Sequence, residues 1–194
     1  MNNLLFLVLL SFYLTASATL GGWKKGSFNE DDLYIDGAFR KAFEIYQKDH
    51  PNSDIDYTQR LTLYRQVVNG INFKMCFIDL KSDVNEVHEY SINKPPTGND
   101  REIKFNYFEK KTFKSKSEIV QMNDSRFPRI QNTLFGYLKG SGENILFIRK
   151  IEVVETSLDN FFIITAQGEK KEHMYVVGQS RDDNDDYEVY GILN

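Results

Sequence analysis

The chain has 194 residues, 41% apolar and 27% charged, with 12 Gly and only 4 Pro, which excludes collagen-like and wholly disordered classes. Its 24 Lys and Arg stand against 28 Asp and Glu, giving a net charge of −4, the wrong sign for a broad phosphate-binding surface, so no nucleic-acid partner is expected. One cysteine and three scattered histidines, His50, His88 and His173, exclude an intramolecular disulfide and a thiolate zinc site. Packing alone must hold the fold, and no metal or cofactor is expected.

Residues 1–18 carry no charged side chain, and the apolar run Leu4–Leu10 leads through Ser11 and Thr15 to the small-x-small site Ala16-Ser17-Ala18. This pattern predicts a signal peptide rather than an anchor, because a span needs about 20 apolar residues and Gly21-Gly22 follows directly. The mature chain is expected to begin near Thr19, to enter the secretory route towards the extracellular space or the endolysosomal lumen, and to keep no membrane span.

Phe39, Ala42, Phe43 and Tyr46 recur at i, i+3, i+4 and i+7, predicting a helix near 33–49, with Asp31 or Asp32 as cap and Pro51 as stop. Four β-rich runs follow: 61–68, 71–80, 87–93 and 102–108. In the second, Ile71, Phe73, Met75 and Phe77 alternate with Asn72, Lys74 and Cys76, so the odd positions are expected to face the helix. Cys76 reads as an inert thiol packed in a sheet; a Cys76/His88 nucleophilic pair lacks an orienting third group and an electropositive setting. Residues 109–117, polar and Lys-rich, read as an exposed connector.

Asn123-Asp124-Ser125 is the single glycosylation sequon, with Asn123 as acceptor. A second apolar stripe, Ile130, Leu134, Tyr137 and Leu138, predicts a helix near 126–139, with Asp124 or Ser125 as cap, Pro128 in the first turn and Gly140 as terminator. Runs 145–154, 161–166, 173–177 and 187–193 repeat the β-rich train. The intervals Gln66–His88 and Glu152–His173 differ by one position, and His-x-Tyr recurs at 88–90 and 173–175. Helix-then-four-strands thus occurs twice, which implies a tandem duplication. Without disulfides, each half needs its helix laid over one face of an antiparallel sheet, an α+β architecture.

Three turn-forming segments of the first half stand in a telling order. Gly21-Gly22-Trp23 precedes the helix, Gln66-Val67-Val68-Asn69-Gly70 joins two strands, and Lys94-Pro95-Pro96-Thr97-Gly98-Asn99 joins the last two. Taken singly, the first reads as a flexible stretch after the cleavage site and the second as a tight Asn-Gly turn. In this order the chain resembles the cystatin family of papain-type cysteine protease inhibitors over 19–108. The disulfide-free strands look like the stefin branch, and the leader and Gly-Gly-Trp start look like the secreted branch.

The chain departs from the secreted branch in lacking four cysteines and in having Thr97 after Pro96 where Trp is usual. The resemblance implies two tandem cystatin-like domains, 19–110 and 111–194, each a helix packed across a four- to five-stranded antiparallel sheet. It also implies reversible competitive inhibition of papain-like, cathepsin-type proteases. Gly21, Gly22, Trp23, Gln66, Val67, Val68, Asn69, Gly70, Pro95, Pro96, Thr97 and Gly98 would form a wedge that occludes the cleft without chemistry of its own. Trp23 has two readings, contact residue or cover for the sheet edge.

The second half has Glu152 for Gln, Thr156 for Gly and a longer turn. It is expected to carry strain at Thr156 and charge at its tip, and therefore little or no inhibitory power. Its acidic run 182–186 lacks the ligand spacing of a calcium loop and reads as a solvated turn. The alternative function is a non-inhibitory secreted module of the same fold that binds or adheres to another partner. An enzyme is not expected: the chain has no nucleophile–base pair, phosphate loop or metal-ligand spacing.

Overall fold

The computed structural model describes residues 22–26, 33–53, 55, 59–80, 84–96, 103–116, 124–181 and 186–193. The leader, the caps at Asp31 and Asp32, Gly21, Thr97, Gly98 and Asn123, and most of the acidic run lie outside them. The elements are β1 (Lys24–Lys25), α1 (Leu33–Asp49), β2 (Arg60–Val68), β3 (Gly70–Asp79), β4 (Glu86–Lys94), β5 (Asn106–Lys114), α2 (Phe127–Ser141), β6 (Ile145–Glu155), β7 (Asp159–Gly168), β8 (Glu172–Ser180) and β9 (Tyr187–Leu193). The fold is α+β, with two helices and two antiparallel sheets of order β1-β2-β3-β4-β5 and β6-β7-β8-β9. Two compact units emerge, one of residues 1–77 and 89–111, the other of 78–88 and 112–194. No described helix is long and apolar enough to cross a membrane.

In the first unit α1 begins and ends where its apolar stripe predicts. Ile35, Ala38, Phe39, Ala42 and Tyr46 are buried in one cluster with Leu63, Phe73, Met75, Phe77, Tyr90 and Ile92. Ile71, Phe73, Met75 and Phe77 of β3 belong to or pack against that cluster, as the period of two requires. Aromatic rings meet edge-on within it, Phe39 with Phe77 at 5.9 Å and Tyr46 with Tyr90 at 6.4 Å between centroids. The even positions Lys74, Cys76 and Ile78 are buried as well. Cys76 is a buried thiol, and Lys74 pairs with the deeply buried Glu89 at 3.4 Å.

In the second unit Ile130, Leu134 and Leu138 of α2 share a cluster with Ile151, Val153, Phe162, Ile164, Ala166, Tyr175 and Val177. Pro128 stands in the first turn, where its missing N–H costs nothing. The Asp124 carboxylate accepts from the Arg126 N–H at 2.9 Å and its guanidinium at 2.7 Å, which holds the acid below the usual carboxylate range.

Three expectations are corrected. The connector expected at 109–117 is mostly strand: β5 runs to Lys114, and Lys116 bridges to Val153. Strand pairing asks only for backbone groups, and lysines suit the outermost strand of a sheet because they discourage further pairing. Helix α2 runs through Gly140 and ends at Gly142, whose φ of 73° and N–H bond to the Leu138 carbonyl close the last turn. Thr156 carries no strain, since no described non-glycine residue has positive φ. Its hydroxyl instead donates to the Asp159 carbonyl at 3.0 Å and accepts from the Asp159 N–H at 3.1 Å.

Candidate functional site

The first-unit hairpin β2–β3 closes through Asn69 alone, with Val67 paired to Ile71 and Val68 to Gly70. Gly70 has φ +109°, a conformation that only glycine adopts without strain. A Cβ on Gly70 would overlap the carbonyl oxygen of Lys94 and stand 3.2 Å from both Pro95 Cα and Pro96 Cδ. The missing side chain therefore lets the hairpin tip lie directly against the segment that leaves β4. Val67 and Val68 project from this junction, 58% and 40% exposed.

Below the tip, three amides link three strands. Asn72 Nδ2 donates to Gln66 Oε1 at 3.1 Å, and Asn93 Nδ2 donates to Asn72 Oδ1 at 2.7 Å. Gln66 is thus turned inward, holding β2 to β3 while Asn93 carries the connection on to β4. This ladder escapes sequence reasoning because Asn72 and Asn93 belong to no turn motif; their alternation with Phe73 in β3 and Ile92 in β4 is the only signal, placing them opposite the apolar cluster.

The antiparallel register, with Lys24 opposite Arg65 and Lys25 opposite Tyr64, sends the preceding Trp23 and Gly22 toward the Val67 end of β2. Gly22 is exposed, with open space where a side chain would be. Trp23 is half-buried, its ring centroid 4.9 Å from the Lys74 ammonium. The indole therefore covers a charged side chain of β3 on the sheet face opposite the apolar cluster. On the cluster's side, the Lys94 ammonium sits 3.5 Å from the ring centroid of Tyr34 of α1. That contact ties the end of β4 to the first turn of the helix.

The structure thus brings together Gln66, Val67, Val68, Asn69, Gly70, Pro95 and Pro96, and directs Gly22 toward them. Chemically the rim offers two exposed valines, a proline pair and backbone. Among the described residues no group of three or more His, Cys, Asp or Glu side chains is arranged to hold a metal ion.

Neither a protein-family model nor a curated protein matches the chain.

The corresponding hairpin of the second unit, β6–β7, is built differently. Thr156 and Asp159 are buried, and the Arg181 guanidinium donates to the Thr156 carbonyl at 2.9 Å. Glu152 accepts from Asn85 at 2.9 Å and pairs with Lys150 at 3.0 Å. Lys116 donates to Glu155 at 2.9 Å and holds that acid below the usual carboxylate range. The charges expected to disturb an apolar tip are compensated within the unit.

Proposed function

We propose that the protein is a reversible competitive inhibitor of papain-like cysteine proteases, secreted or delivered to the endolysosomal lumen. In this reading each unit is a cystatin-like domain, one helix across an antiparallel sheet, derived by duplication. The first is the inhibitory one. The observation that carries the reading is the contact of Gly70 with Lys94, Pro95 and Pro96, which joins two hairpin ends beneath exposed Val67 and Val68.

A narrow rim of this kind suits a preformed cleft. The valines offer apolar surface, Gly70 permits close backbone approach, and short hairpins held by an amide ladder lose little freedom on docking. The arm at Gly22 and Trp23 would occupy neighbouring subsites, with a flexible backbone kept out of attack geometry. Inhibition then requires no chemistry, only exclusion of substrate. Nanomolar affinity corresponds to about −12 kcal/mol, within reach of a small buried hot spot in an interface of standard size.

The second unit lacks the glycine that permits such a tip, and its turn is closed by the buried pair Thr156 and Asp159, with Arg181 bonded to the Thr156 carbonyl. Its role in this reading is structural. Direct binding of the mature chain to papain, measured by calorimetry, tests the proposal. One-to-one binding that blocks substrate supports it; no interaction at micromolar concentration refutes it and favours the non-inhibitory binding module instead.

A further inference from the structure

We infer that the rim around Val67 is also a cationic docking surface, fitted to papain-like proteases whose cleft is flanked by acidic side chains; this rests on the inhibitory reading above. Lys24 and Arg65 are Cα partners across β1 and β2, so their side chains leave the same face of the sheet, and both are exposed. Arg65 is in turn opposite Phe73, a member of the cluster that contains the α1 residues, which puts both cations on the helix side. Lys94, against Tyr34 of α1, lies on that side too and directly precedes Pro95.

Like charges placed opposite one another on neighbouring strands destabilise a sheet. Here that cost is incurred next to the exposed tip of a chain whose net charge is negative. Five other cations of the same unit are paired with acids: Arg40 with Asp36, Lys41 with Glu44, Lys74 with Glu89, Lys110 with Asp49 and Lys111 with Glu109. Among the described residues no acidic side chain pairs with Lys24, Arg65 or Lys94. Uncompensated charge beside an apolar tip raises the rate of encounter with a surface of opposite sign and orients the approach.

The test is the association rate of the mature chain with an acidic papain-like protease and with a basic one, over a range of NaCl concentration. Raising ionic strength from about 0.01 M to about 1 M shortens the screening length from about 30 Å to about 3 Å. The association rate with the acidic enzyme should then fall by about tenfold or more, while the dissociation rate changes far less. The double variant Lys24→Glu, Arg65→Glu should invert that salt dependence and, at low salt, associate more slowly with the acidic enzyme than with the basic one. Both positions are exposed, and a matching far-ultraviolet spectrum and thermal midpoint verify that the variant is folded; Lys24→Gln, Arg65→Gln serves in its place if it is not. Inhibition with a salt-insensitive association rate, or one untouched by either variant, overturns this inference alone. Absence of any inhibition overturns it together with the inhibitory reading.

Discussion

Gly70 rests against the carbonyl of Lys94 so closely that no side chain fits between them. The hairpin of β2 and β3 and the segment leaving β4 thereby form one continuous rim, although 24 positions separate Gly70 from Lys94 in the chain. A left-handed φ and a steric exclusion fall on the same residue, so glycine is required there twice over.

Gly70→Ala should therefore cost about 1–3 kcal/mol of stability through backbone strain, with the displaced Lys94 carbonyl adding to it. Urea unfolding of the purified variant measures the loss. In the proposed function the same variant loses inhibition more than its stability explains, because the two hairpin ends separate.

Val68→Asp has the opposite profile. The side chain is 40% exposed, so folding stability should change by no more than about 0.5 kcal/mol. Papain inhibition should weaken by about 2 kcal/mol or more, because the carboxylate must lose its water in the cleft. Parallel unfolding and inhibition measurements separate the two effects.

Asn72→Leu removes the central member of the amide ladder and leaves Gln66 and Asn93 without their partner amide. A loss of about 1–2 kcal/mol is expected, since two modest hydrogen bonds disappear. Native-state hydrogen exchange should show faster opening at 66–70 than in α1.

The second unit should lose stability at both ends of the pH range. Lys116 lowers the Glu155 carboxyl and Arg126 lowers the Asp124 carboxyl, so their contributions are present above the ordinary carboxylate range and vanish as pH falls through the depressed folded values. Burial, aided by its bond to Glu143, raises the Tyr175 phenol from 10.0 to about 12. Its contribution is complete below pH 10 and is lost as pH rises toward 12. Tyr175→Phe should flatten the alkaline limb of melting temperature against pH and leave the acid limb unchanged.

Much of this architecture is readable from local chemistry. The stripe Phe39, Ala42, Phe43, Tyr46 fixes α1, and alternation along Ile71–Phe77 fixes which face of β3 meets the core. The end of β5 beyond Phe108 escapes because Lys110, Lys111 and Lys114 hide it behind a connector's composition, and ladder pairing leaves no mark on side chains. The turn at Thr156 escapes for another reason. A threonine hydroxyl can close a turn by bonding both backbone groups of Asp159, an arrangement that depends on the longer loop rather than on the identity of one residue. At the rim, Gln66-Val67-Val68-Asn69-Gly70 is legible as a turn, whereas the fit of Gly70 to Lys94 is tertiary and has no local signature.

The central claim is that the rim plugs a protease cleft, and steady-state inhibition of papain by the full mature chain tests it most directly. The account predicts that, with increasing inhibitor, the apparent KM for a peptide substrate rises while kcat stays constant, and that Val68→Asp reverses the effect. Unchanged papain activity at micromolar protein, or inhibition that lowers kcat and survives Val68→Asp, would contradict it.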